Sequence, residues 1–278
     1  MTRRIRNDGM TLVKKKGLTL MRYLSLSLAI AMLPIVGAQA ALPFSVSLES
    51  ESPGQQASTS GFDFVGVENF DTRASGNGQN FSTNFGSSGV FSGVYKNVQV
   101  LGADQYGGAY GAGKYAVTFD NPGYTLDLTT TRPGGVTYFG FWLSALDASN
   151  SVSFYQGNSK LFTFNASDAG NFINSLPNRD SYRCNSNAPF VGQNCGEPYV
   201  FLNFYAEAGT TFDRVAFNQV GGGGYESDNH TVGIWNTKSG TIIPNAGVVP
   251  EPESWALMIA GFSMIGVSMR RRNRTVAA

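Results

Sequence analysis

The sequence predicts an all-β protein, a single antiparallel β-sandwich of jelly-roll type, and three observations carry that prediction. Short runs rich in aromatic and β-branched residues recur along the chain, cut at roughly even spacing by Gly, Asn, Pro and Asp, with 34 glycines in 278 residues. No stretch over about twelve residues repeats its apolar side chains at helical period, apart from two apolar runs near the ends. What remains between those runs, roughly 200 residues, is enough to bury one core. A closed barrel is the other arrangement open to such strands, and their order is not readable from the sequence.

Residues 1–40 read as a signal peptide. The apolar run 24–36 follows Arg22, and Ala38-Gln39-Ala40 supplies a small-x-small site, so cleavage is expected between Ala40 and Ala41. Arg3, Arg4, Arg6, Lys14, Lys15 and Lys16 lie further upstream. Either the basic region is long, or the start is Met10 or Met21. Residues 41–60 are rich in Ser, Gln and Glu around Pro53-Gly54, which predicts a flexible lead-in.

The sandwich is expected over 61–236. Runs 115–119 and 124–129 flank Asp120-Asn121-Pro122-Gly123, a turn in which Pro fixes φ and Gly accepts a positive one. Run 136–143 is apolar on both faces, the pattern of a central strand. Runs 152–155 and 160–164 surround Gln156-Gly157-Asn158-Ser159, a hairpin signal. Residues 168–173 suit one helical turn. Runs 199–205, 212–217 and 231–235 complete the domain, with 221–224 as an internal loop and 237–249 as a spacer.

Cys184 and Cys195 are the only cysteines and bracket a loop within an irregular region. In an exported chain a disulfide is the natural reading, worth roughly 3 kcal/mol for a loop of this size. A metal site is a poor competitor, because no His or further Cys stands nearby.

The tail, 250–274, has three parts. Pro250-Glu251-Pro252 comes first, then an uncharged run of fifteen residues from Trp255 to Met269, then Arg270, Arg271, Arg272 and Arg274. As a helix the run would reach about 22 Å, short of a hydrocarbon core near 30 Å, so it is a marginal span. The arginines would keep the C-terminus cytoplasmic and the bulk of the chain outside. A buried terminal helix would not end on four arginines; an ordinary tail anchor is the plainer alternative.

Both basic regions belong to these end segments. The whole chain carries +1, but residues 41–249 hold nine Lys/Arg against sixteen Asp/Glu, a net of −7. An acidic exported domain is a poor partner for nucleic acid or anionic lipid.

The order Pro250-Glu251-Pro252, two residues, Trp255-Ala256, a glycine-bearing apolar segment and an arginine cluster resembles the PEP-CTERM sorting signal in its PEPxxWA variant. The runs 136–147, 151–155, 199–204, 212–217 and 225–229 are similar to the exported β-domain of many exosortase-dependent surface proteins. The resemblance implies export by a Gram-negative bacterium, passage through the inner membrane and processing by an exosortase at the tail. Pro-Glu-Pro and the arginines would act as recognition elements. It implies location and architecture, not a reaction.

Little else points to chemistry. His230 is the sole histidine, and no Gly-x-Ser-x-Gly elbow accompanies it, so it is expected to sit at the start of the last strand as a structural residue. The scattered carboxylates include no pair that spacing selects for glycoside hydrolysis. The glycines at 107, 108, 111 and 113 lack the lysine of a phosphate loop. Glu226, Asp228 and Asn229 cluster on a Gly-rich approach, and would be the ligands of a calcium ion if the protein uses a cofactor, although no EF-hand pattern is present. Trp142, Trp235, Tyr106, Tyr110 and Tyr225 offer rings for sugar or for packing. The expectation is a non-enzymatic surface or matrix protein associated with exopolysaccharide. The alternatives are a carbohydrate-binding module and a secreted glycoside hydrolase.

Overall fold

The computed structural model describes residues 42–49, 54–221, 223–244 and 246, with Ile259, Phe262 and Ser263 of the tail. The expected signal peptide, with Ala38, Ala40 and Ala41, lies outside the described residues. So do Pro250, Glu251, Pro252, Trp255, Ala256, Arg270, Arg271, Arg272 and Arg274. The three described tail residues are helical, and Ser263 Oγ donates to the Ile259 carbonyl. Among the described residues, no helix is long and apolar enough to cross a membrane.

Strands account for about half of the described residues, some alternating buried and exposed side chains and the central ones buried throughout. In order these are β1 (Phe44–Leu48), β2 (Gly61–Glu68), β3 (Gly76–Thr83), β4 (Phe91–Gly102), β5 (Lys114–Thr118), β6 (Tyr124–Thr130) and β7 (Tyr138–Ser144). Then come β8 (Asn150–Gln156), β9 (Ser159–Asn165), β10 (Val200–Ala206), β11 (Arg214–Gln219), β12 (Tyr225–Thr237) and β13 (Thr241–Ile242). All pair antiparallel in one network, β13-β1-β10-β7-β12-β5-β4-β6-β11-β8-β9, with β2 on β12 and β3 on β4.

That single sheet curls back on itself as a half-barrel. Phe44 of β1 meets Phe154 of β8 at 4.7 Å and Phe162 of β9 at 5.1 Å, although these strands lie far apart in the pairing order. Phe141 of β7 likewise reaches Phe217 of β11 at 5.2 Å, and Phe204 of β10 reaches Phe164 of β9 at 5.3 Å. Two layers therefore face each other over one aromatic core. The predicted antiparallel all-β fold holds. Its two layers are joined in one curled sheet rather than built as separate ones.

The junction lies in β4 and β12. One edge of β4 is shared end to end, with β6 along 91–96 and β5 along 99–102. The turn at 119–123 is therefore the corner at which the chain passes from the β12 layer to the β11 layer. Strands β7 and β10 are buried along their whole length, as expected of 136–143.

Four expectations change. The lead-in is strand over Phe44–Leu48, because Phe44, Val46 and Leu48 alternate onto the core, and Gln56 beyond it is buried. The spacer contributes β13 and buries Ile243 and Ala246, so the fold extends past residue 236. The helical turn is a helix, α1 (Ala166–Ser175), burying Ala166, Ala169 and Ile173, with Asp168 in its first turn. His230 lies well inside β12, not at its start.

Candidate functional site

Strand β12 carries Tyr225, Glu226, Asp228, Asn229, His230 and Trp235, all singled out by the sequence, and a bulge decides what the middle ones do. Against β7, Asp228 pairs with Trp142 but Thr231 with Gly140, so one extra residue is inserted, with Asn229 at φ 51°. Before the bulge Tyr225 and Ser227 face the aromatic core, while Glu226 and Asp228 face outward. After it, His230 and Val232 take the core side.

His230 is fully buried among Phe139, Phe141 and Phe217. Its Nδ1 and the Tyr95 hydroxyl are 2.9 Å apart, and its Nε2 lies 3.0 Å from Ser227 Oγ, which itself pairs with the Tyr124 hydroxyl at 2.8 Å. Burial pushes the imidazole down to about 3, so the ring is neutral at ordinary pH. The geometry resembles a Ser–His pair, but both side chains are closed off from solvent.

Outward of β12 lies a second, small apolar cluster, Ala109, Trp142, Ala145, Tyr199 and Phe201. Loops roof it. Asp228 Oδ2 accepts the Ala109 N–H at 2.7 Å, and Oδ1 accepts its neighbour's Asn229 N–H at 2.6 Å. Asn229 Nδ2 donates to the Gln56 carbonyl at 2.9 Å, while Gln56 Oε1 accepts the Tyr110 N–H at 2.5 Å. Gln56 Nε2 in turn donates to Asn187 Oδ1 at 2.5 Å, tying in the loop that the Cys184–Cys195 disulfide closes.

Glu226, Asp228 and Asn229 thus share a strand but act separately. Among the described residues, no three His, Cys, Asp or Glu are grouped to hold a metal. Asp228 and Asn229 themselves tie down the roofing loops through hydrogen bonds. Burial pushes Asp228 up to about 8 against the pull of its two N–H donors. Glu226 is 5% exposed, and burial, then its backbone contact and the charges of Glu197, Asp104 and Asp147, set its carboxyl at about 8. Its Oε2 has no hydrogen-bond partner among the described residues.

The outer face of the other layer is open. There Arg214 of β11 stands beside Asp127 of β6 and Tyr155 of β8, and Ala216 stands beside Thr125, which pairs with Lys96 of β4. Small residues between large ones leave a groove of about 330 Å³, closed at one end by Pro122, Gly123 and Asn218. The Arg214 guanidinium lies 4.4 Å over the Tyr155 ring, and Lys96 Nζ pairs with Asp127 Oδ2 at 2.6 Å. A second hollow of about 580 Å³, between β3 and β4, is lined by Arg73 and small polar residues. Arg73 there is already committed to Glu68 and to the Ser82 carbonyl.

Of the rings proposed for sugar, Tyr225 and Trp142 are enclosed, and Trp235 donates its Nε1–H to the Ala206 carbonyl. Tyr106 and Tyr110 remain exposed on the roof, Tyr110 by 61%. Tyr155, Arg214, Lys96 and Asp127 were not singled out by the sequence. Each alternates outward on its strand, but only the cross-strand register brings them together.

The tail is the part that known proteins illuminate. Comparison with curated proteins returned no match. The PEP-CTERM protein-sorting motif matches residues 248–272, which takes in Pro-Glu-Pro, Trp255-Ala256, the apolar run and three of the four arginines. Such a motif implies export, processing by an exosortase at the membrane, and display at the surface. The chain therefore carries a PEP-CTERM sorting signal at its tail.

Proposed function

We propose that the protein is a non-enzymatic component of the surface or extracellular matrix of a Gram-negative bacterium, associated with exopolysaccharide. The observation that carries this reading is the sorting motif at 248–272, joined to a domain whose polar groups are arranged for architecture. The sole histidine is enclosed with both ring nitrogens occupied. The one carboxylate of the open groove, Asp127, is paired with Lys96 rather than facing a second acid, which is what glycoside hydrolysis would need. The jelly-roll form expected for the domain suits this role, since its open outer face offers a long polar surface.

Delivery follows from the ends of the chain. The signal peptide directs it across the inner membrane, the apolar run holds it there, and the exosortase releases or transfers it. The domain's net charge of −7 over residues 41–249 keeps it off anionic lipid and nucleic acid after release.

Intact-mass analysis of the protein from each cell fraction of its host tests the reading. A species beginning at Ala41 and lacking 255–274, recovered with the exopolysaccharide, is the expected result. A species retaining the apolar run in the inner membrane overturns it. Reducing ends released from the host's exopolysaccharide would instead establish the hydrolase.

A further inference from the structure

We propose that the open groove across β4, β6, β11 and β8 binds a carboxylate-bearing polysaccharide strand, with Arg214 receiving the carboxylate. The proposal rests on the exopolysaccharide reading above and names its site and ligand class.

The groove has the layout of a site for a chain rather than for a compact ligand. It follows the strand direction, from Arg214, Asp127 and Tyr155 at one end to Asn218, Gly123 and Pro122 at the other. Residues 214 to 218 of a strand span about 13 Å, enough for a short run of sugar rings. The volume of about 330 Å³ sits at the lower end of the roughly 300–1,000 Å³ of ligand clefts, and the groove is open along its top. Its floor, Ala216 and Thr125, is small, so rings can settle against backbone-level atoms. Thr125, Asn218 and Asp127 offer the hydroxyl, amide and carboxylate groups that hydrogen-bond sugar hydroxyls.

Charge decides the class of sugar. Lys96 is neutralised by Asp127 at 2.6 Å. Arg214 is not neutralised: among the described residues its guanidinium makes no ion pair and no hydrogen bond, only the stack on Tyr155. The ring holds the guanidinium flat, so its N–H edge is presented with little rotamer freedom left to lose. A planar fork of donors without an acid of its own fits a carboxylate bidentately, as a uronic acid supplies. The acidic remainder of the domain discourages indiscriminate binding of polyanions, so selectivity resides in the groove. Tyr155 is a positioning residue; Arg214 touches the ligand.

Native affinity electrophoresis of the full chain in mild detergent tests this, with polygalacturonate, neutral dextran or no glycan in the gel and double-stranded DNA in a parallel shift assay. Retardation by polygalacturonate alone is expected, fading as salt is raised. Arg214→Gln should weaken it about tenfold or more, and Arg214→Lys, which keeps the charge but not the fork, by several-fold. Tyr155→Leu should weaken it less than Arg214→Gln while removing the difference between Arg and Lys at 214. Arg179→Ala, an exposed cation on another part of the domain, should change nothing. Melting temperatures of the variants, compared with the parent, separate lost binding from lost folding. Equal retardation by dextran, an equal shift of DNA, no retardation at all, or an unchanged Arg214→Gln each overturns the proposal. A chain that fractionates with its host's matrix yet ignores polygalacturonate sinks the groove assignment alone and leaves the surface-protein reading standing.

Discussion

The two layers of this sheet turn opposite kinds of outer face to their surroundings. Over β10, β7, β12 and β5 the outer face is roofed by loops, and its polar side chains are buried and committed to holding the roof. Over β4, β6, β11 and β8 the outer face is bare, and its polar side chains are half-exposed. Acidic residues alone do not mark a functional site here. Asp228 on the roofed side accepts two backbone N–H groups, which is architecture. Asp127 on the bare side accepts only Lys96, beside an unpaired guanidinium, which leaves donors facing solvent, as the proposed groove requires.

The sharpest way to break this contrast is to remove the pin. Asp228→Ala leaves the Ala109 and Asn229 N–H groups buried without acceptors, at about 1–3 kcal/mol each, so a loss of about 3–5 kcal/mol is expected in urea unfolding. A loss under about 1 kcal/mol would show that the roof is not held from β12. Next in size, replacing Cys184 and Cys195 together by Ser should cost about 3 kcal/mol, read by the same measurement. The part of the roof it frees should be 184–195, seen as faster amide exchange there and unchanged exchange in β11.

The pH dependence is a third test of the roofed face. Glu226 and Asp228 keep their protons in the folded state up to about 8, whereas the unfolded chain releases them near 4. Across that interval the folded state binds more protons, so stability falls as pH rises, by up to about 1.4 kcal/mol per unit for each group. His230 acts oppositely: with its folded value near 3, the unfolded state binds the extra proton below about 6.5, and stability falls as pH drops there. The window from about 6.5 to 8 therefore isolates the two acids. Melting temperature should decline through it, and Glu226→Gln should roughly halve the slope. A flat profile would mean that the roofed carboxylates are already ionised.

The sequence made some of this visible and hid the rest for identifiable reasons. The β8–β9 hairpin was legible because Gly157 takes the positive φ, 57°, that its turn requires. The central strand at 136–143 was legible because both of its faces are apolar, and the disulfide because only two cysteines exist. Strand β1 was obscured by its serines, which alternate with Phe44, Val46 and Leu48 inside a polar stretch. The bulge at Asn229 could not be seen, so Glu226, Asp228 and Asn229 read as one cluster on a Gly-rich approach, whereas all are buried and the bulge sets them to different partners. The groove was hidden most completely. Tyr155, Arg214, Asp127 and Lys96 come from four strands whose order no local pattern encodes, and each reads singly as an ordinary outward residue.

The smallest expected effect is on the bare face, and it is the one that makes the contrast complete. If these side chains serve recognition and not the fold, removing them should leave stability nearly unchanged. Lys96 and Asp127 form an ion pair with side chains 58% and 37% exposed, and such pairs contribute about 0–1 kcal/mol. Arg214 lies on Tyr155 at a half-exposed position, where the stack is worth about 0.5–1 kcal/mol. Lys96→Ala and Arg214→Gln should therefore each unfold within about 1 kcal/mol of the parent, several-fold less than Asp228→Ala. Raising salt should shrink the Lys96 effect further, since the pair is screened, while leaving the Asp228 effect intact under its roof. A cost at Arg214 as large as that at Asp228 would show that both faces are architecture, and the division of labour between them would be lost.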